Sequence, residues 1–398
     1  MQPAGSVVAA LFAGVVLLVA GCGASCQSTV RVAGMPVIAA GTFDGVVADH
    51  GAHRLYLADE TAKGVDVVDT SASTPRFLAT IGLGAAPHGL AVAPDQRRVY
   101  AAVDGGKVAV IDIAAMTVVS TVTVDTASAD LIDYDPKART LYVGSGPDVV
   151  VVDTAKLQVT KRLGAKIPVE QPRYDPADGK LYVTTRADDS LLQFDPASGK
   201  LTRTYVVTRC GPKGLAINPA RQLAMLGCGS SIALVNLATG AHDVTLAVQG
   251  ADVVAYDAAM DRFVVASPHD ARDSAVGVFT GDGTFVGSVA GSPTAHAAAY
   301  DDQHGLVYAP GTSGLMSFAP AVCTPPPGWL QFVGGLSIFA APLLAAAAFL
   351  LFYAAWRGRR RAEPNGPTRE DLLAEDLEFE RARMRALEDS IFGPEAAP

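Results

Sequence analysis

Charge is scarce in this chain. Lys, Arg, Asp and Glu make up 18% of its 398 residues, against about 25% in ordinary soluble domains. With 49% hydrophobic residues, it cannot be an extended disordered polymer, which needs high charge and few apolar groups. Nor does it read as a soluble protein throughout. Basic residues are scarcer than acidic ones, 31 against 40, for a net charge of −9. Nucleic-acid-binding domains tend to be basic, so no nucleic-acid partner is expected. Trp occurs twice, and Asn only at Asn218, Asn236 and Asn365. Cysteine occurs five times without any Cys-x-x-Cys. That absence excludes a thioredoxin-like redox motif and c-type haem attachment. No P-loop and no Gly-x-Ser-x-Gly elbow is present; Gly281-Asp282-Gly283 is a hairpin turn signal.

Much of the apolar excess is terminal. No charged side chain precedes Arg31. Residues 7–19 form an apolar run of signal-peptide length, followed by Ala20-Gly21-Cys22. Small residues before a cysteine resemble a bacterial lipobox, which implies removal of residues 1–21 and acylation of Cys22. The segment before the run lacks the usual Lys or Arg, so an uncleaved anchor helix is the other reading. Residues 330–356 carry no charge over 27 positions, and about 20 suffice to span a membrane. Trp329, Tyr353 and Trp356 sit where an interfacial aromatic belt would lie. Arg357, Arg359, Arg360 and Arg361 follow, placing the C-terminus in the cytoplasm. The preceding region would then lie outside the cytoplasm of a bacterial cell, periplasmic or extracellular, with the Pro-rich stretch 321–329 as a stiff spacer.

The middle of the chain is a repeat. Leu55-Tyr56-Leu57, Val99-Tyr100-Ala101, Leu141-Tyr142-Val143 and Leu181-Tyr182-Val183 recur at a period near 42, with weaker copies centred on positions 224, 263 and 307. An apolar strand ending in Asp or Asn follows each of the first five centres, at Asp69, Asp112, Asp153, Asp195 and Asn236. Before each central strand lies a turn signal, such as Pro94-Asp95, Asp135-Pro136 or Asn218-Pro219, where Pro fixes φ and Asp or Asn caps through its side chain. Each unit therefore reads as four strands, A to D; in the second they run 89–93, 98–103, 107–113 and 118–124. Seven four-stranded units cannot bury their sheet faces singly, so they must close into a ring. The expected fold is an all-β, seven-bladed β-propeller over 35–320. The last unit lacks its own strand D, and residues 36–41 are expected to supply it from the N-terminus. The transmembrane helix 330–356 and a tail 357–398 with one short cytoplasmic helix complete the chain.

Leu181-Tyr182-Val183-Thr184-Thr185, Leu191-Leu192-Gln193-Phe194-Asp195 and Pro87-His88-Gly89-Leu90-Ala91-Val92-Ala93-Pro94-Asp95 resemble the YVTN-repeat family of bacterial seven-bladed propellers. The resemblance spans about residues 35–320 and weakens in blades five to seven. It implies the fold; family members include binding proteins, surface proteins and relatives of redox enzymes, and a shared fold does not choose among them. Two other propeller types fit poorly. Gluconolactonase and paraoxonase propellers hold Ca²⁺ partly through Asn, and Asn218 and Asn236 both fall in turn-like positions here. Quinone-dependent dehydrogenase propellers use Trp docking motifs, and both Trp of this chain flank the 330–356 segment.

In an exported chain the cysteines should pair. Cys210, entering blade five, and Cys228, in that blade's B-to-C turn, lie on one face and are expected to form a disulfide. Cys26 precedes the expected closing strand and Cys323 follows the last one, so a Cys26–Cys323 bond would lock the ring. Cys22 is left for lipid.

Aligning the seven A strands by their turns places Asp44, His88, Asp130, Glu170, Lys213, Asp252 and His296 at equivalent positions at the mouth of the central channel. Residues two and four further along are mostly apolar. A wet channel rim tolerates polar residues without any function. A ring of four carboxylates, two His and one Lys also suits a small polar ligand, acid–base chemistry or a divalent metal. His with carboxylate favours Zn²⁺ over Ca²⁺; no other cofactor is indicated.

In the tail, Thr368-Arg369-Glu370-Asp371 resembles a capping box, and Leu373, Leu377, Met384, Leu387 and Ile391 follow with helical spacing over 369–392. With 4 Arg against 9 acidic residues from 368 onward, this helix suits a protein partner better than anionic lipid. The first functional expectation is thus a membrane-anchored extracytoplasmic scaffold that binds a protein or ligand, without chemistry of its own. The alternative is a metal-binding, redox-accessory or hydrolytic enzyme using the polar ring.

Overall fold

A computed structural model describes residues 25–27, 38–268, 274–312, 314–320, 322–324, 350, 351, 353 and 369–392. The compact body runs Cys26–Thr324. Within it are seven antiparallel sheets, each made of consecutive strands in chain order. Blade one is Phe43–Asp49, Arg54–Asp59, Gly64–Asp69 and Arg76–Gly82. Blades two to six repeat this, from Pro87–Ala93 through Phe285–Ala290. Blade seven has three strands among the described residues, Ala299–Asp301, Leu306–Gly311 and Gly314–Phe318. The seven-bladed propeller is the fold expected from the repeat.

Local chemistry explains the repeat. The residue before each strand B is left-handed: His53, Arg97, Arg139, Gly179, Gln222, Asp261 and Gly305 have φ between 50° and 70°. That conformation turns the chain tightly from A into B, and non-glycine residues adopt it only under such constraint. The Asp or Asn closing strand C caps the next turn. Asp69 Oδ1 accepts from Ser71 N, Asp112 from Ala114 N and Asp153 from Ala155 N, each at 2.9 Å. Between strands C and D a β-bulge recurs at the same place in blades one to four and six. A bulge sharpens the local twist.

The left-handed residues correct the register in the last three blades. Counting three residues on from each gives Tyr56, Tyr100, Tyr142, Tyr182, Met225, Val264 and Tyr308 as equivalent centres. Positions 224, 263 and 307 are each one residue early. A one-residue slip turns a strand side chain to the opposite face. Met225 accordingly packs between blades five and six, Val264 between six and seven, and Tyr308 between seven and one.

Seven buried clusters fill the seven junctions between neighbouring blades. The last is the ring closure. Phe43, Leu55 and Leu57 of blade one pack with Ala297, Tyr308 and Leu315 of blade seven. Phe43 N donates to Thr294 O and His296 N to Phe43 O, both at 3.0 Å. The strand expected over 36–41 does not close the blade in the way anticipated. Pro36 and Val37 lie outside the described residues, and Ile38, Ala39 and Ala40 are not in a strand. Ile38 instead buries its side chain in the closing core. Short strands Ser25–Gln27 and Val322–Thr324 pair separately.

The Cys210–Cys228 disulfide is present, with Cα atoms 4.7 Å apart. The side chains of Cys26 and Cys323 lie outside the described residues, although their strands are neighbours. Residues 1–21 and Cys22 are also outside. Among the described residues no helix is long and apolar enough to cross a membrane, and the expected 330–356 span falls outside them apart from Leu350, Leu351 and Tyr353. The tail helix runs Arg369–Phe392, as its spacing predicted, with Leu373, Leu377, Phe379 and Met384 exposed.

Candidate functional site at the channel mouth

The seven ring residues are structurally equivalent. In blades three to six the ring residue stands just before strand A, and its backbone N–H reaches strand B of the same blade. Asp130 N donates to Gly144 O, Glu170 to Thr184, Lys213 to Gly227 and Asp252 to Ala266, each at 2.9 Å. In blades one and two, Asp44 and His88 fall within β-bulges, which re-aim side chains. Glycine lets the bulges nest. A Cβ on Gly45 would stand 2.4 Å from the His88 carbonyl oxygen, and one on Gly89 would stand 2.7 Å from that of Asp130.

Five of the seven form one chain of ion pairs around the ring. Lys213 Nζ lies 3.5 Å from Asp252 Oδ1, and Asp252 Oδ2 lies 2.7 Å from His296 Nδ1. His296 Nδ1 is 3.9 Å from Asp44 Oδ1, and Asp44 Oδ2 is 3.0 Å from His88 Nδ1. The order is blades five, six, seven, one and two. Asp130 and Glu170, from blades three and four, line the same cavity of about 540 Å³ together with Asp44, His88 and His296.

Two lining residues escaped the A-strand alignment, Glu60 and Asp104. Glu60 Oε1 lies 3.5 Å from His88 Nδ1, and Asp104 Oδ1 lies 2.9 Å from His88 Nε2. Both stand four residues beyond a strand-B tyrosine, Tyr56 and Tyr100. The same count from Tyr142 and Tyr182 gives Gly146 and Arg186, so the repeat period held the signal for a second ring.

Crowded carboxylates in a half-buried site shift one another's protonation. The Asp44 hydrogen bond, opposed by burial and reinforced by Asp104, pushes the His88 imidazole up to about 9. The Asp252 bond likewise raises His296. Burial resists the Asp252 carboxylate, but His296 and Lys213 outweigh it and hold its pKa down. Burial, and then the charge of Asp44, pushes Asp130 up to about 7. Burial raises Glu170 against the pull of Arg186 and Lys213, and burial with Asp44 raises Glu60. The mouth is thus a carboxylate-rich pocket whose histidines are shifted toward the protonated form and in which Asp130 is pushed up to about 7.

Behind the mouth the channel is lined by Val46, Ala48, Leu90, Val92, Ile132 and Tyr134, at the apolar positions expected. Polar residues there were not anticipated. Arg173 Nη1 donates to the Ile132 and Pro172 carbonyls at 3.1 Å and stands 3.8 Å from Asp133 Oδ1. Burial raises the pKa of Asp133 and lowers that of Arg173.

No family model matches the sequence, and no curated protein matches it. Among solved structures, hydrazine synthase of Kuenenia stuttgartiensis is similar, with a TM-score of 0.62 at 13% identity, covering 75% of this chain and 99% of that one. At this identity the likeness extends to the fold, a β-propeller, and to nothing finer.

Proposed function

We propose that this chain is a membrane-anchored, extracytoplasmic propeller of the YVTN-repeat type that serves as a binding scaffold, engaging a polar ligand or protein partner at the channel mouth. The convergence of seven charged or titratable residues, one from each blade, on a single mouth carries this reading. Immediately behind the mouth the inward A-strand positions are mostly apolar, Asp133 and Arg173 excepted, and this contrast supports the reading. The 330–356 segment with its arginine cluster supports anchoring, the leader supports export, and a disulfide suits an oxidising compartment. The exposed apolar residues of the tail helix offer a second contact for a partner.

Affinity capture of the full chain from native membranes tests the binding role. Glu170→Gln with Lys213→Met should deplete the partners held by the wild type. Capture identical in both would overturn the assignment of binding to the mouth. A reporter fused after Pro398 should read as cytoplasmic, and a periplasmic reading would reverse the orientation.

A further inference from the structure

We propose that Asp44, Glu60 and His88 form a divalent-metal site of the Zn²⁺ type, with Asp104 as a positioning residue for the imidazole. The proposal rests on the reading of the mouth as a binding site and names its ligand. One oxygen from each carboxylate and a ring nitrogen of His88 all lie within 4.8 Å of one another. His88 Nδ1 stands 3.0 Å from Asp44 and 3.5 Å from Glu60. Ligand atoms about 2.0–2.2 Å from a tetrahedral ion are spaced about 3.4 Å apart, so a single ion fits among these three with small side-chain rotations.

The other face of the ring is already arranged. His88 Nε2 lies 2.9 Å from Asp104 Oδ1. A metal-bound histidine donates its outer N–H to a carboxylate, which fixes the tautomer and turns the free lone pair to the ion. Here the ligating nitrogen is Nδ1, between Asp44 and Glu60, which gives up its proton to bind the ion. Charge points the same way. Among the described residues, Asp44, Glu60 and Asp104 have no ion pair with Lys or Arg, and Lys213 is engaged by Asp252. Three carboxylates around one imidazolium leave net negative charge, and a divalent cation that displaces the imidazole proton offsets it. An imidazole among the donors favours Zn²⁺ and similar ions over Ca²⁺. Three protein ligands leave a fourth position open to water or to a ligand entering the cavity.

The test uses the full chain, purified in detergent and stripped by chelator. Titration with Zn²⁺ should give one saturable site that excess Ca²⁺ does not displace. Glu60→Gln and His88→Gln should each weaken it by at least about tenfold, and Asp104→Asn by about 10- to 100-fold. X-ray absorption of the Zn²⁺-loaded wild type should show one imidazole and oxygen ligands without sulfur, a readout independent of how any variant folds. Absence of a saturable site, binding undiminished in both Glu60→Gln and His88→Gln, or a sulfur-containing shell would overturn the proposal. If zinc fails to bind while the Glu170→Gln, Lys213→Met protein still loses partners, only the metal assignment falls. If zinc binds as described while those partners are kept, the metal site stands and the partner role of the mouth falls.

Discussion

Asp66 is a carboxylate in a place built for apolar side chains. Its equivalents in strand C of blades two to six are Ala109, Val150, Leu192, Ala233 and Gly277, fixed by their pairing with strand B. It is 2% exposed, and burial pushes its pKa up to about 6 despite the hydrogen bond from Thr80. A folded-state value above the unfolded one means that the folded protein binds the proton more tightly. Stability therefore falls as pH rises from about 4 to about 6, and the loss is complete above that. Asp66→Asn should leave stability at pH 4 nearly unchanged and raise it by about 3 kcal/mol at pH 7. Denaturant unfolding across that range checks this, and a gap independent of pH would contradict it. Other residues show what the sequence could reveal at this scale. The seven A-strand ring members were legible because turn residues mark their register. Glu60 and Asp104 were not found because they belong to strand-B ends, where no turn proline marks position.

At the scale of the element, strand identity was legible and strand phase was not always so. A central tyrosine marks blades one to four. In blades five and six the marker is Met225 and Val264, which look like any other apolar residue, and in blade seven the flanking Val307 obscured Tyr308. The feature that holds phase throughout is the left-handed residue before strand B, and at Gln222 nothing in the residue type announces it. Blade five compensates for its weaker pattern with a covalent link. Cys210 and Cys228, 18 residues apart, sit in the core between blades four and five. Removing a crosslink that closes a loop of this length costs about 3 kcal/mol. Cys210→Ser with Cys228→Ser should lower unfolding stability by that amount, and reductant should bring the wild type down to the same level. A double variant as stable as the oxidised wild type would deny the bond its role.

For the whole molecule the critical joint is the one between blades seven and one, where no chain continuity assists. Phe43 is fully buried there, and its backbone forms both closing hydrogen bonds. Phe43→Ala should cost about 3–5 kcal/mol. Because each blade depends on two neighbours, unfolding should remain a single transition with a lowered midpoint. A biphasic curve would mean that the ring opens before the blades melt. The joint is made of the same materials as the other six: a buried apolar cluster and backbone contact between neighbouring A strands. What distinguishes it is that no connecting segment of chain joins the two blades. The order of blades in the gene is therefore one of seven equivalent ways to write this ring. A circularly permuted chain that starts at blade four and joins blade seven to blade one through a linker would fold to the same propeller and present the same mouth.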